Sequence, residues 1–393
     1  MDMQNKAKKL IEMIQTAPVE WKPLGGENGI AIIKTGQAVS KQKISNNVGS
    51  YPVINSGKEP LGYIDEWNTE NDPIGITTRG AGVGSITWQE GRYFRGNLNY
   101  AVTIKNKTEL DVRFLYHILL EFEQEIHALC TFTGIPALNA SNLKKLLIPI
   151  PPLETQQRIV KILDKFTELE ATLEAELALR KRQYQYYRDF LLDFDNQIWG
   201  GIADGYKGRL KDVVWKTLGE VCENLDSMRK PITSNFRKAG NIPYYGASGI
   251  VDYVEDFILD GDYLLVSEDG ANLLARKTPI AFSVSGKIWV NNHAHILKFR
   301  TYAERRFIEF YLNNIDISMY ISGAAQPKLN KQNLNKIRIP IPPLPEQEKI
   351  VAILDKFDTL THSVSEGLPH EIALRRKQYE YYREQLLAFP KAA

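Results

Sequence analysis

The chain has 393 residues, a formal net charge of +2, 43% apolar residues and 24% charged ones, the profile of a globular protein with room for two or three cores. It has no run of apolar residues long enough for a membrane-spanning helix, and its two cysteines, Cys130 and Cys222, lie far apart and outside any Cys-x-x-Cys pattern, which argues against a disulfide framework or a zinc site. A near-neutral charge neither requires nor excludes nucleic acid, so any such argument rests on local clusters.

In chain order, Met1 to Leu10 is charged and polar with no apolar signal core. A cytoplasmic protein is therefore expected. Lys9 to Gln15 carries an apolar face of Leu10, Ile11, Met13 and Ile14, and residues 1–19 are expected to form a helical segment that completes a frame. Residues 20–147 open with Trp21-Lys-Pro-Leu-Gly25 and contain a strand start running into a Ser-Gly turn, Tyr51-Pro-Val-Ile-Asn-Ser-Gly57. Val102-Thr-Ile104 reads as a strand and Arg113 to His127 as a short helix. The block closes on Pro136-Ala-Leu-Asn139.

Residues 148–195 read as one long helix from about Glu154 to Leu192, roughly 60 Å at ~1.5 Å per residue. Ile159, Ile162, Phe166, Leu169 and Leu173 advance by threes and fours, and Leu177, Tyr184, Tyr187 and Leu191 carry the stripe on, which is a coiled-coil seam. Residues 196–338 form a second block with a core from 214. It opens with Trp215-Lys-Thr-Leu-Gly219, turns at Ile242-Pro-Tyr-Tyr-Gly-Ala-Ser-Gly249 and closes on Pro327-Lys-Leu-Asn330. Tyr263-Leu-Leu-Val266 and Ile288-Trp-Val290 read as strands, and Glu304 to Asn314 as a helix. Residues 339–393 repeat the long-helix pattern through Ile350, Ile353, Phe357, Leu360, Val364, Ile372, Tyr379, Tyr382 and Leu386, interrupted at Gly367-Leu-Pro369, which breaks or kinks a helix.

The dominant pattern is duplication. Ile148-Pro-Ile-Pro-Pro-Leu153 returns as Ile339-Pro-Ile-Pro-Pro-Leu344, and aligning 148–169 with 339–360 gives 15 identities in 22. Ala178 to Arg188 returns as Ala373 to Arg383, with the offset moved from 191 to 195 by the glycine-proline interruption. The frame recurs while the middles of the blocks diverge, so one scaffold presents two different surfaces. The expected architecture is mixed α/β: two globular blocks separated by two long antiparallel helices, related by an approximate two-fold. Such an object suits a target with two half-sites, of which duplex DNA is the commonest.

Signatures of catalysis are weak. Gly80-Ala-Gly-Val-Gly84 resembles a nucleotide loop but lacks a clean strand–loop–helix setting and reads as a tight turn. There is no Gly-x-x-x-x-Gly-Lys phosphate loop and no Asn-Pro-Pro-aromatic element of amino-methylating enzymes. His293 and His295 share one face of a possible strand without a third metal ligand, and Glu268-Asp269 lacks the lysine partner of an acidic nuclease pair.

Basic residues interleaved with aromatics and amides are more informative, because arginine forks onto guanine, asparagine onto adenine, and lysine holds phosphates. The candidate DNA contacts are Lys43, Ser56, Arg79, Arg92, Arg95, Asn97 and Asn139 in the first block. In the second they are Lys230, Arg237, Lys238, Arg276, Lys277, Lys287, Asn291, His293, Lys328 and Asn330. An ordinary solvated surface is the plainer alternative for any one of them. On the helices, Tyr184, Tyr186, Tyr187, Tyr379, Tyr381 and Tyr382 with Arg180, Arg188, Arg375 and Arg383 exceed what one seam holds, and form a candidate partner-binding face.

The duplicated Ile-Pro-Ile-Pro-Pro-Leu frame, with Ile-Leu-Asp-Lys-Phe and then Gln-Tyr-x-Tyr-Tyr-Arg, resembles the specificity subunit of type I restriction–modification systems. The likeness is strong in 148–192 and 339–390 and absent in the middles of the blocks. It implies two target-recognition domains that each read half of a split DNA site. It also implies helices that set the half-site spacing and dock two methyltransferase subunits. No catalysis and no cofactor belong to this chain on that reading. S-adenosylmethionine sits in the methyltransferase partner, and ATP and Mg²⁺ are used by restriction subunits where these join. The residues alone leave two alternatives open: a stand-alone methyltransferase or nuclease with an unrecognised site, and a coiled-coil scaffold with two protein-binding lobes.

Overall fold

The computed structural model describes residues 2–15, 19–57, 59–194, 212–323 and 325–390. The expected start of the second block at 196 lies outside the described residues. The chain divides into two compact units, one made of Met1–Glu174 with Glu371–Ala393, the other of Ala175–His370. Each unit holds one variable block, a stretch of the central helix and a stretch of the distal helical segment.

The first unit is closed by strand Glu20–Pro23 pairing antiparallel with Leu147–Ile150, Trp21 opposite Pro149. Inside it, one sheet runs in the order Ala31–Thr35, Asn99–Ile104, Ile74–Thr77, Ile86–Trp88. A second sheet centres on Val48–Ile54, which pairs parallel with Arg92–Arg95, Val53 opposite Phe94. The helix expected at 113–127 is two helices, Val112–Glu121 and Glu123–Ala128, divided at Phe122, whose ring stacks on Trp21. Asp111 caps the first by accepting the backbone N–H groups of Arg113 and Phe114, satisfying donors that a helix start leaves open. That helix buries Phe114, Leu115, Ile118 and Leu119.

The second unit closes in the same way, Val214–Thr217 against Arg338–Ile341 with Trp215 opposite Pro340. Its strands merge into one six-stranded sheet, in the order Glu223–Asn224, Ala294–Lys298, Leu259–Ser267, Ala281–Val290, Ala239–Gly246, Gly249–Val254. The parallel pair recurs there between Ala239–Gly246 and Ala281–Val290, Tyr244 opposite Trp289. Helix Tyr302–Asn314 starts with a capping box of Thr301 and Glu304.

The central helix is continuous from Leu153 to Leu192, as the spacing predicts, and begins directly after Pro151-Pro152. The distal segment is two helices, Leu344–His362 and Leu368–Leu387. The break is at Gly367, where a Cβ would lie 2.3 Å from the Thr359 carbonyl oxygen, so only glycine passes. Val364, expected in the seam, falls in this break and is 81% exposed.

Within the first unit, residues 153–174 run antiparallel to residues 371–387. Phe166 stacks on Tyr382 at 5.3 Å, and Arg376 bonds both Glu170 and Glu174. Within the second unit the same contact is Tyr187 on Phe357 at 5.4 Å. Gln156 donates to the Pro151 carbonyl and Gln347 to the Pro342 carbonyl, both at 2.8 Å. Helix Asp2–Ile14 buries Leu10 and Ile14 in the core of the first unit, together with Leu386, Leu387 and Phe389. The Trp21 indole donates to the Pro390 carbonyl at 3.0 Å. Among the described residues no helix is long and apolar enough to cross a membrane.

Phe166 is almost fully buried and Tyr381 is 57% exposed. The Phe166→Ala variant is expected to lose about 3–5 kcal/mol in denaturant unfolding, and Tyr381→Ala about 0.5 kcal/mol or less. Equal losses in the two would remove the helix pair as the support of the first unit.

Candidate nucleic-acid interface

The two parallel strands of each unit stop at the same level, and the loops beyond them form a rim. In the first unit, Val48–Ile54 and Arg92–Arg95 are followed by Asn55-Ser56-Gly57 and Gly96-Asn97-Leu98. The Asn55 side chain accepts the Leu98 N–H at 3.0 Å, and the Thr78 N–H donates to the Leu98 carbonyl at 2.9 Å. Gly96 must be glycine, because a Cβ there would meet Asn55 Oδ1 at 2.3 Å. The turn Gly80–Gly84 lies beside Ser56. Its hydrogen bonds, Val83 N–H to the Gly80 carbonyl and Gly84 N–H to the Thr77 carbonyl, make it a closed structural turn. Exposed Ser56, Arg79 and Asn97 are thereby brought onto one rim.

In the second unit, Ala239–Gly246 and Ala281–Val290 are followed by Ala247-Ser248 and Asn291-Asn292-His293. The Asn291 N–H donates to the Tyr245 carbonyl at 3.0 Å, the Glu268 N–H to the His293 carbonyl at 2.9 Å, and Ser267 Oγ to the Ala247 carbonyl. Ser248, Asn292, His293 and Lys328 are exposed along this rim, with Asp269 half-buried beside them. Ser248 and Asp269 were not among the candidates from sequence. The Ser-Gly turn shared by both blocks was the signal for Ser248. For Asp269 a search for cations gives none.

Several candidates are structural. Arg95 is buried, where it donates to the carbonyls of Asp72, Ile74 and Tyr100, to Asn99 and to the Tyr93 hydroxyl. Burial pulls its pKa down, and no edge of it reaches solvent chemistry. Arg276 has φ +50° and fixes the end of helix Tyr302–Asn314 by donating to the carbonyls of Leu312 and Ile315. Arg237 lies over Tyr244 and pairs with Asp252 at 3.0 Å. Asn291 is buried and accepts the His293 N–H. Asn139 and Asn330 cap the short helices Ala140–Leu143 and Lys331–Lys336. Each of these already has polar atoms holding the fold and is set aside from the rim on that ground.

Lys43 pairs with Glu66 beneath Phe94, Arg92 with Glu70 over Trp67, and Lys287 lies over Phe257. Lys230, Lys238 and Lys277 are exposed, Lys238 at 3.8 Å from Glu255. Lys230 lies beside the second rim, its N–H donating to the Val290 carbonyl at 3.2 Å; the exposed lysines and Arg92 suit phosphate rather than base contact.

His293 and His295 do not share a face. His293 precedes the strand and is exposed against Asp269 at 2.8 Å, whereas His295 is fully buried between Asp226 at 2.6 Å and the Leu329 carbonyl at 2.7 Å. Among the described residues no group of three or more His, Cys, Asp or Glu is placed to hold a metal ion. Glu268 is no nuclease carboxylate: it bonds Arg229 and lies 3.1 Å from Lys328.

On the helices, Tyr184 and Tyr382 are buried and Tyr379 is half-buried. Arg180 and Arg375 make matching bonds to Glu176 with Gln183 and to Glu371 with Gln378. Arg188 lies over Tyr184, and Arg383 bonds Glu121. Tyr186, Tyr187 and Tyr381 stay largely exposed, at 55%, 41% and 57%.

The Asp226 carboxyl also accepts the Ile296 N–H. Burial alone would raise its pKa, but the hydrogen bond and charge of His295, the Ile296 N–H and Arg229 together hold it below the usual carboxylate range. A depressed folded value means that the stability it contributes is present above about pH 4 and is lost as pH falls through the folded value. Asp226→Asn is expected to be less stable at neutral pH and to lose stability less steeply below about pH 4. Denaturant midpoints against pH check this; parallel curves for the two proteins would count against it.

A family model described as the type I restriction modification DNA specificity domain matches residues 18–179 and 211–374. The EcoR124I/EcoR124II type I restriction enzyme specificity subunit of Escherichia coli is 31% identical over 430 residues, covering 97% of each chain. A putative type I restriction enzyme specificity subunit of Haemophilus influenzae is 43% identical over 180 residues, covering 45% of this chain and 46% of that one. The crystal structure of a type I restriction–modification S subunit from M. genitalium superposes with TM-score 0.67 at 21% identity, covering 96% of this chain and 98% of that one.

Proposed function

Because the chain belongs to the family of type I restriction–modification DNA specificity domains, one match in each half, we propose that it is the DNA-reading subunit of a type I restriction–modification complex. The observation that carries this reading is the pair of rims. Two units of matching backbone end in loops whose exposed side chains differ, which is what two half-sites of different sequence require. The first rim reads one half of a bipartite duplex site and the second rim the other. Exposed lysines and Arg92 around them hold phosphates. The chain supplies no catalysis of its own. Methylation of adenine is done by two methyltransferase subunits, which bring S-adenosylmethionine. Restriction subunits that use ATP and Mg²⁺ join where the system also cleaves.

Exposed Tyr186 and Tyr187 in the second unit, and Tyr381 in the first, each mark a docking face for one methyltransferase subunit. Aromatic residues of this kind, exposed beside arginines, are over-represented in the centres of interfaces. The Tyr186→Ala, Tyr381→Ala double variant is expected to co-purify with the methyltransferase subunit at least tenfold less well, with its unfolding midpoint unchanged. Full co-purification would remove these residues from the docking face.

The central helix sets the gap between half-sites. Leu169-Glu-Ala-Thr172 and Leu173-Glu-Ala-Glu176 are tandem four-residue units. One more unit adds ~6 Å and ~40° beyond a full turn, against ~3.4 Å and ~35° for one base pair. Inserting Leu-Glu-Ala-Glu after Glu176 is expected to lengthen the gap by about one base pair and leave both half-sites as they were. Sequencing the methylated adenines of a host that carries the complex reads both the function and the ruler. No bipartite motif in the natural complex overturns the function; an unaltered gap in the insertion variant overturns the ruler.

A further inference from the structure

Resting on the reading of the chain as a DNA-recognition subunit, we infer that Arg79 and Asp269 are corresponding base-reading positions of the two units. Arg79 donates to a guanine edge. Asp269 accepts from the exocyclic amine of a cytosine or adenine.

The correspondence comes from the backbone. Arg79 bridges Ala137 and Asp269 bridges Lys328, each pairing antiparallel with the residue after the proline of the recurring Pro-x-Leu-Asn motif. The residue before each accepts from the leucine of that motif, Leu138 N–H to the Thr78 carbonyl at 2.9 Å and Leu329 N–H to the Glu268 carbonyl at 2.7 Å. The residue after each is a glycine in the left-handed region, Gly80 at φ +93° and Gly270 at φ +108°. Those glycines donate to the motif's proline carbonyls, at 3.0 Å to Pro136 and 3.1 Å to Pro327. Both positions are therefore pinned from either side, while their side chains face outward from the rim.

The side chains are open to a ligand. The first block has four arginines, at 79, 92, 95 and 113. Arg92, Arg95 and Arg113 bond protein acceptors. Among the described residues Arg79 has no such partner and is exposed. Asp269 binds His293 through Oδ2 at 2.8 Å, and Oδ1 has no partner among the described residues.

Charge decides between base and phosphate. A carboxylate facing a phosphate is repelled, so a rim position that carries Asp269 in one unit is placed over base edges. The same position in the other unit carries Arg79, whose fork fits guanine O6 and N7. Two units on one skeleton thus read opposite hydrogen-bond chemistry at one shared position.

The test maps methylated adenines in a host carrying the whole complex with the natural chain, Arg79→Gln, Arg79→Lys or Asp269→Ala. For Arg79→Gln and Arg79→Lys, one G·C pair of one half-site is expected to lose its preference, on the order of tenfold or more, with the other half-site unchanged. For Asp269→Ala, one C- or A-containing position of the opposite half-site is expected to relax in the same way. Unfolding midpoints of all variants should match that of the natural chain. Motifs unchanged in every variant overturn the inference. So does full specificity in Arg79→Lys, which keeps the charge without the fork, and so does a uniform fall at all sites, which marks a phosphate anchor. If the natural chain itself yields no bipartite motif, the functional reading fails and the inference goes with it.

Discussion

The pairing of the central helix with one of the two distal helices underlies both units. In the first unit Phe166 lies on Tyr382, and Arg376 reaches Glu170 and Glu174. Leu386, Leu387 and Phe389 then enter the same core as Leu10 and Ile14. This unit is thus built from two separated pieces of sequence, and its core is complete only once the second has packed on the first. Contacts of such high sequence separation are slow to form, because chain entropy is lost before they can compensate it. The second unit has no such dependence on the chain ends. Its helix pairing joins 175–192 to 344–362, and the block between them is continuous. The duplication has produced two bodies with the same contacts and different routes to them.

On that support the variable blocks share a skeleton while exchanging the groups that hold it. Tyr100 donates to the Leu138 carbonyl at 3.3 Å, and His295 faces the equivalent Leu329 carbonyl at 2.7 Å. The position next to the last parallel pair is Arg95 in one unit, opposite Ile54, and Val290 in the other, opposite Tyr245. A buried guanidinium is costly unless it is hydrogen-bonded, and the first unit surrounds the two terminal nitrogens of Arg95 with three carbonyls, Asn99 and the Tyr93 hydroxyl, leaving Nε without a partner among the described residues. Valine asks for nothing, and the strand beside it continues into a longer sheet. Different polar solutions inside the same outline explain why the middles of the two blocks have lost visible likeness.

The helical frame was legible in the sequence because helix periodicity and repetition both mark it. The seam through Ile159, Ile162 and Phe166 is buried as its spacing requires, and the Gly367 break falls where glycine and proline coincide. The recurring Trp-Lys and Ile-Pro-Ile-Pro segments were visible as repeats, but that they pair with each other is a long-range fact that no local pattern carries. The rims were half legible. Composition picks out arginine, and arginine is useful on a surface and in a polar core alike. Arg79 and Arg95 are sixteen positions apart in one basic stretch, yet one is exposed and the other is buried among acceptors. The strand Arg92–Arg95 buries three consecutive residues instead of alternating, so the period of a strand gave no warning. Asp269 was hidden for the opposite reason, since a search for DNA contacts by positive charge passes over a carboxylate.

Holding the frame fixed while altering the rim separates two demands that usually conflict. A residue that reads a base must leave its hydrogen-bonding groups open, and open polar groups add little to stability. A residue that holds the fold must have those groups satisfied. Here the two jobs fall on neighbours. Thr78 and Glu268 bind the recurring leucine through their backbone, and Arg79 and Asp269, one position on, keep their side chains toward the rim. Because the backbone bonds are indifferent to side-chain identity, a cation and an anion occupy the same place without disturbing the strand beneath. The charge at this rim position can therefore change while the backbone bonds around it stay the same, and the glycine that follows in each unit is held in the left-handed region.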